Sequence, residues 1–265
     1  MRTFNPLWLV ALILSLGVAA QVGAQDEAPA EPVKKDVPYV PTPQPVVDRM
    51  LEMANVTKND VVYDLGCGDG RMVVTAAKKY GARGVGVDID PQRIKESNEN
   101  AKSAGVTDKV EFSIKNLFDM DFGEATVLTM YLLPDVNLKL RPKILSDMKP
   151  GSRVVSHSFD MDDWKPDAED EVDSSTIYLW IVPAQVEGVT EARIKPQGGQ
   201  EQQAKLNLKQ NFQEVTGTVT IDGKEIEIKD GKLKGSELSF TADGKKYTAT
   251  IQGKETEAKE KKRAA

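Results

Sequence analysis

The sequence predicts an α/β protein, a doubly wound and mostly parallel sheet, followed by a small antiparallel all-β domain. Three observations carry that expectation. Between residues 61 and 158 short apolar runs alternate with stretches of helical period, the pattern of βαβ units. The first two runs are joined by Asp64-Leu65-Gly66-Cys67-Gly68-Asp69-Gly70-Arg71, a glycine turn opened by an acid. From Val189 onward the helical period disappears, and alternating runs are separated by Asp222-Gly223, Asp230-Gly231 and Asp243-Gly244, which are hairpin signals.

Taken in order, the 265-residue chain opens on what reads as a secretory signal peptide over residues 1–24. Arg2 is the only charge before Asp26, Leu7 to Ala20 is apolar, and Val22-Gly23-Ala24 supplies small residues for cleavage after Ala24. The apolar core is shorter than the roughly 18 residues of a spanning helix. The expectation is an exported chain, periplasmic or secreted, or a membrane-anchored one if the segment stays uncleaved. Residues 25–37 mix prolines with acids, alanines and lysines and form a linker. A net charge of −6 argues against a nucleic-acid partner, which calls for a basic face. The single Cys67 can form no internal bridge and reads as a small packing residue. Nothing in the sequence sets an oligomeric state.

The α/β domain spans residues 38–184. Tyr39-Val40-Pro41-Thr42-Pro43 leads into Val46, Val47, Met50 and Leu51, an apolar helical face. Val61-Val62-Tyr63 starts the first strand, Met72 to Tyr80 the next helix, and a second strand ends at Asp88. The alternating glycines at 66, 68 and 70 permit positive φ and bring backbone N–H groups close to a ligand. Arg71 follows the third glycine, and the motif opens with an acid, which argues against NAD or FAD. Pro91 stands at a first helical position, a helix runs from Gln92 to Ala104, and Gly105 ends it. Strands follow at Val110–Ile114, Ala125–Met130, Arg153–Ser158 and Ile177–Val182, with a helix over Leu138–Met148. His157, the only histidine, reads as a core or supporting residue on a central strand.

An acid before the glycines and an acid closing the next strand resemble the first two motifs of class I S-adenosylmethionine (SAM) methyltransferases, with their Rossmann-like fold. The leading Tyr-Val-Pro-Thr-Pro, the Tyr131-Leu132-Leu133-Pro134 after the fourth strand, and the exit Phe159 to Asp167 narrow the resemblance. Together they are similar to bacterial methyltransferases related to the family that methylates a lysine of the ATP synthase c subunit, over about residues 38–182. By that resemblance the cofactor is SAM. Asp64 lies near its methionine amino group, Gly66, Gly68 and Gly70 line it, Thr42 offers a hydroxyl to its carboxylate, and Asp88, followed by Ile89, accepts both ribose hydroxyls. Asn116 takes the adenine amino group where the class often has Asp, and Leu117 supplies the next backbone N–H. Tyr131 walls the acceptor pocket, while Asp160 and Trp164 shape it. The Asn/Asp-Pro-Pro-aromatic motif of many amino-group methyltransferases is altered here. The acceptor is a protein, with lysine one option, or a small molecule.

Residues 185–253 read as an antiparallel module of about seven strands, a small barrel or sandwich, for binding or stabilisation rather than a second enzyme. Residues 254–265 are a charged tail. A second function class stays open: an envelope nucleoside- or SAM-binding protein with a vestigial site, whose β-module is the functional unit.

Overall fold

The computed structural model describes residues 39–251. The expected signal segment, linker and charged tail lie outside the described residues. Helix α1 (Gln44–Met53) precedes β1 (Val61–Leu65), the glycine turn, and α2 (Arg71–Thr75), which continues as a π-helical turn over Ala76–Tyr80. Then come β2 (Arg83–Asp88), α3 (Pro91–Ala104), β3 (Val110–Ile114), β4 (Val127–Met130), α4 (Pro134–Asp147), β5 (Arg153–His157), β6 (Ala168–Val172) and β7 (Ser175–Ile181). The seven strands form one sheet in the order β3-β2-β1-β4-β5-β7-β6, parallel from β3 to β5 and antiparallel where β7 joins β5. Strand order reverses between β1 and β4, so the carboxyl ends of those strands open a crevice.

Each strand's two faces serve different layers. Val61, Tyr63 and Leu65 turn toward α4, where Val136, Leu140, Ile144 and Met148 complete one buried cluster. Val62, Val127, Val155 and Ile177 face Val46, Val47, Met50 and Leu51 of α1. Asp90 caps α3 by accepting from Gln92 N at 3.0 Å, and Gly105 takes a left-handed φ of 70° at its end. Helix α4 starts four residues earlier than the sequence suggests, because Pro134, after the three-residue link from β4, supplies a helix-ready φ at the first helical position. Strand β6, Ala-Glu-Asp-Glu-Val, escaped sequence reading. Three acids mask its alternation, and at the sheet edge they keep it from pairing with another chain.

The C-terminal strands close into a six-stranded antiparallel barrel. They are β8 (Gly188–Pro196), β9 (Gln202–Asn211), β10 (Glu214–Ile221), β11 (Lys224–Lys234), β12 (Glu237–Ala242) and β13 (Lys245–Thr250), with β8 and β13 pairing to shut it. The count is six rather than about seven because Asp230-Gly231 is no turn. It is a bulge inside β11, where the register slips between Lys229 and Lys232, and Asp230 has a φ of 51°. Asp222-Gly223 and Asp243-Gly244 do turn hairpins, and Leu206, Val219, Leu233, Leu238 and Phe240 fill the interior.

The barrel is joined to the sheet by packed aromatics and backbone hydrogen bonds. Trp164, expected in the acceptor pocket, is fully buried instead. Its ring lies 5.8 Å from Trp180 and 5.9 Å from Phe212, which precedes β10. Trp180 Nε1 donates to Trp164 O at 2.7 Å, Gln213 Nε2 to Lys165 O at 2.6 Å, and Ala184 N to Gly235 O at 2.9 Å. Such a junction makes Trp164→Ala a stability variant. Removing a buried indole costs about 3–5 kcal/mol, so urea unfolding should shift to a much lower midpoint, with barrel and sheet melting apart. An unchanged midpoint would show that the junction carries no stability.

Candidate functional site

The crevice at the carboxyl ends of β1 and β4 is lined by residues from five separate segments. They include Thr42, Asp64, Gly66, Gly68, Asp88, Ile89, Asn116, Leu117 and Tyr131. Nine of the eleven residues singled out in the sequence therefore come together; Gly70 and Asp160 do not. Gly66 and Gly68 hold φ of 75° and 54°. A Cβ on Gly68 would stand 2.4 Å from the Tyr39 ring, so the glycine admits both the backbone turn and an aromatic laid across it. Gly70 has a φ of 76°, but its close neighbours are Phe112 and Ser97, within 3 Å of a would-be Cβ. Its task is helix–sheet packing.

Two carboxylates organise the crevice. Asp88 Oδ2 accepts from Gly68 N at 3.0 Å and Oδ1 from Asp90 N at 2.9 Å, tying the glycine turn to the end of β2. Each oxygen keeps a lone pair for a hydroxyl donor. Asp64 is 8 % exposed, and its Oδ1 accepts from Thr129 Oγ1 at 2.8 Å. Burial pushes its carboxyl up to about 7, and the Thr129 hydrogen bond only partly offsets this. A buried carboxyl of that kind gains from a cationic ligand group brought beside it.

The segment before α1 reaches across the crevice. Arg71 Nη1 donates to Thr42 O at 2.9 Å, while its Nε and Nη2 grip the Asp69 carboxylate at 2.9 and 2.6 Å. Thr42 Oγ1 lies 3.2 Å from His157 Nδ1. The Arg93 guanidinium covers the outer face of Tyr39 at 4.4 Å. The sequence marked Tyr39 and Arg71 only as parts of their motifs, with no contact assigned, and did not mark Arg93. Arg71 adjoins the glycine motif and could have been assigned one, whereas Arg93 sits one turn into α3 with no local signal.

At the β4 end of the crevice, the Tyr131 ring centroid stands 3.8 Å from that of His157 and 6.1 Å from that of Phe159. Asp160 points to solvent, and its Oδ1 accepts from Asp162 N at 3.2 Å. The left-handed φ of 58° at Asp162 makes that turn and leaves the carboxylate capping it rather than lining the crevice. Asn116 Oδ1 accepts from Phe118 N at 3.0 Å and caps a short 3₁₀ turn. Cys67 is buried, which pushes its thiol up and keeps it protonated, consistent with packing. Among the described residues no cluster of His, Cys, Asp and Glu could hold a metal.

Sheet order, glycine turn and the two acids at strand ends define a class I SAM-dependent methyltransferase, and the residues present suit that cofactor. The crevice is walled by the backbone of Gly66 and Gly68, the Asp88 carboxylate keeps lone pairs for hydroxyl donors, and the buried Asp64 carboxyl suits an ammonium. A family profile described as the ANTKMT methyltransferase domain matches residues 64–168. A protein-lysine N-methyltransferase of Saccharolobus islandicus is 48 % identical over 55 % of this chain and 94 % of its own length. The mouse lysine N-methyltransferase of the ATP synthase c subunit is 28 % identical over 56 % of this chain and 60 % of the relative. Among solved structures, a Salinibacter ruber protein described as an RNA methyltransferase, in complex with S-adenosylhomocysteine, is 55 % identical. It superposes with a TM-score of 0.55 over 56 % of this chain and 96 % of that one. This chain belongs to the methyltransferase family of the Saccharolobus islandicus protein-lysine enzyme, and it is similar to the mouse enzyme over part of that protein's length.

The Asp64 carboxyl yields a pH-dependent prediction. With a folded-state value raised above the ordinary 3.8, the group costs the unliganded fold stability above pH 7. As pH falls below 7 the folded protein takes up the proton and the cost fades, vanishing near pH 4. Asp64→Asn should stabilise the unliganded protein at pH 8 by an amount on the order of a few kcal/mol, and hardly at all at pH 4. Thermal melts of both proteins across that range check it, and an equal gain at both pH values would remove the buried charge as its cause.

Proposed function

We propose that the protein transfers a methyl group from SAM to a lysine side chain of a protein acceptor. The observation that carries this reading is the Tyr131 ring at the mouth of the crevice, stacked with Phe159 and backed by His157, in a chain whose full-domain relative is a protein-lysine N-methyltransferase. When bound, the sulfonium supplies an electrophilic methyl carbon. The chain's own residues then have to orient both partners and keep the amine unprotonated. Asp64 pairs with the cofactor's ammonium, Thr42 donates to its carboxylate, and Asp88 accepts from the ribose. Gly66, Gly68 and Ile89 make the close backbone approach, while Asn116 and Leu117 meet the adenine. An aromatic, water-poor slot lowers the amine's proton affinity, and in-line positioning can contribute about 7–11 kcal/mol. No carboxylate base is needed at Asp160.

The same proposal has the enzyme working at or outside the membrane. What supports it is Arg2 ahead of the apolar Leu7–Ala20 and the small residues closing at Ala24. Mass spectrometry of the N-terminus from its host should find Gln25 first. An intact Met1 in a membrane fraction would point to an uncleaved anchor, and an intact Met1 in the cytosol would overturn the proposal.

The site assignments are tested by calorimetric titration with S-adenosylhomocysteine. Asp88→Ala removes a charged acceptor worth roughly 1.5–3 kcal/mol per hydrogen bond, so affinity should fall at least tenfold. It should also lose the discrimination that wild type shows against the 2′-deoxyribose analogue. Wild-type affinity in Asp88→Ala would take the ribose away from Asp88. For the acceptor, labelled SAM is offered with poly-L-lysine and with total RNA, since the Salinibacter ruber relative carries an RNA description. Label in poly-L-lysine, at a rate that rises with pH, is the expected result; label in RNA alone would overturn the lysine reading.

A further inference from the structure

We propose that His157 is a positioning residue that serves both halves of the reaction at once: its ring edge aims the Thr42 hydroxyl into the cofactor end of the crevice, and its ring face props the Tyr131 wall of the acceptor end. This inference rests on the site reading above. His157 ends β5, is 2 % exposed and is not among the residues lining the crevice, so it meets neither substrate directly. Its two contacts lead in opposite directions. Nδ1 lies 3.2 Å from Thr42 Oγ1 on the segment before α1, and the ring centroid lies 3.8 Å from that of Tyr131, with an interplanar angle of 31°.

Proton counting gives the ring edge its role. A threonine hydroxyl has one proton, and a hydroxyl that donates it to the imidazole has none left for a carboxylate. Burial lowers the proton affinity of His157, so the ring is neutral and carries one N–H. With that proton on Nδ1, the imidazole donates to Thr42 Oγ1 and the Thr42 hydrogen is turned outward to the crevice. The Thr42 carbonyl is held by Arg71 at 2.9 Å, so the imidazole acts on the hydroxyl of a residue whose backbone is already tethered.

The ring face acts by shape. Tyr131 is partly exposed and lines the crevice, and its ring has His157 at one contact and Phe159 at another. Phe159 is itself pinned by its backbone: Ser156 Oγ donates to Phe159 O at 2.6 Å, and the buried Asn137 Nδ2 donates to the same oxygen at 3.3 Å. Without an aromatic ring at 157, Tyr131 would drop toward β5 and widen the slot.

The two roles can be separated by two substitutions in the full chain. His157→Phe keeps a ring behind Tyr131 and has no donor. S-adenosylhomocysteine should bind about tenfold more weakly, with the KM for poly-L-lysine unchanged at saturating SAM. His157→Asn keeps an amide donor near the place of Nδ1 and has no ring. It should leave S-adenosylhomocysteine affinity near wild type and raise the poly-L-lysine KM several-fold. Thr42→Val, which removes the hydroxyl itself, should lose at least as much cofactor affinity as His157→Phe, and adding His157→Phe to it should bring no further loss; Thr42→Ser should bind as wild type does. Equal losses of both properties in both His157 variants, or additive losses in the double variant, would overturn the inference. If neither His157 variant folds, the Thr42 pair decides: equal affinity of Thr42→Val and Thr42→Ser would overturn it. Wild type that fails to bind S-adenosylhomocysteine would bring down the site reading itself, and wild type that binds it but spares poly-L-lysine would bring down the lysine acceptor; either result removes this inference as well.

Discussion

The Asp88 carboxylate is the constraint on which the site depends. A strand-end acid that accepts two backbone N–H groups, one from Gly68 and one from Asp90, fixes the glycine turn against the end of β2 and starts the chain toward α3. Hydrogen bonds to a charged acceptor are about twice as strong as neutral ones, and this pair lies where β1 and β2 deliver their ligand-facing ends. Everything downstream in the crevice is referred to that anchor. Gly66 and Gly68 keep left-handed φ without strain, and Asp64 is carried beneath them into a nearly dry position. Burying Asp64 costs the unliganded fold stability, and a cationic ligand group would return it, so cofactor affinity and resting stability oppose each other at one atom pair.

A second layer of order comes from the segment ahead of the first strand. Thr42 is gripped at its carbonyl by Arg71 and at its hydroxyl by His157, which makes a short proline-bounded segment the roof of the crevice. Arg71 is in turn clamped to Asp69 of the glycine turn, which ties the segment to that turn. The aromatic group at the other end, His157, Tyr131 and Phe159, is braced from behind by Ser156 and Asn137. The Thr42 segment and the Tyr131 ring thus share one imidazole and one strand.

The barrel stands away from this chemistry. Its inner face is filled with aliphatic side chains and the stacked rings of Phe240 and Tyr247, and no residue of it lines the crevice. It meets the α/β domain at a few points: Phe212 stacks 5.9 Å from Trp164, Gln213 Nε2 donates to Lys165 O, and Lys232 pairs with Asp167 at 3.4 Å.

Much of the fold was legible because its signals are local. Alternation, helical period, Pro91 and Gly105 set the strands and helices of the sheet within a few residues, and the spacing of Asp64, Gly66, Gly68 and Asp88 marked the cofactor turn, since each reports a requirement of its own backbone. The acid-rich β6 and the bulge at Asp230-Gly231 were not legible, because an edge strand is defined by its neighbour and an Asp-Gly pair bends or bulges according to the strand opposite. The fates of Asp160, Trp164, Arg93 and His157 lie further from the sequence still. Whether a carboxylate caps its own turn or faces a ligand, and whether a tryptophan walls a pocket or joins two sheets, is settled by which distant side chains arrive beside it. The local chain determined the elements and the glycine turn, whereas long-range packing decided which side chains meet: His157 of β5 reaches Tyr131 and Thr42, and Trp164 joins Trp180 and Phe212.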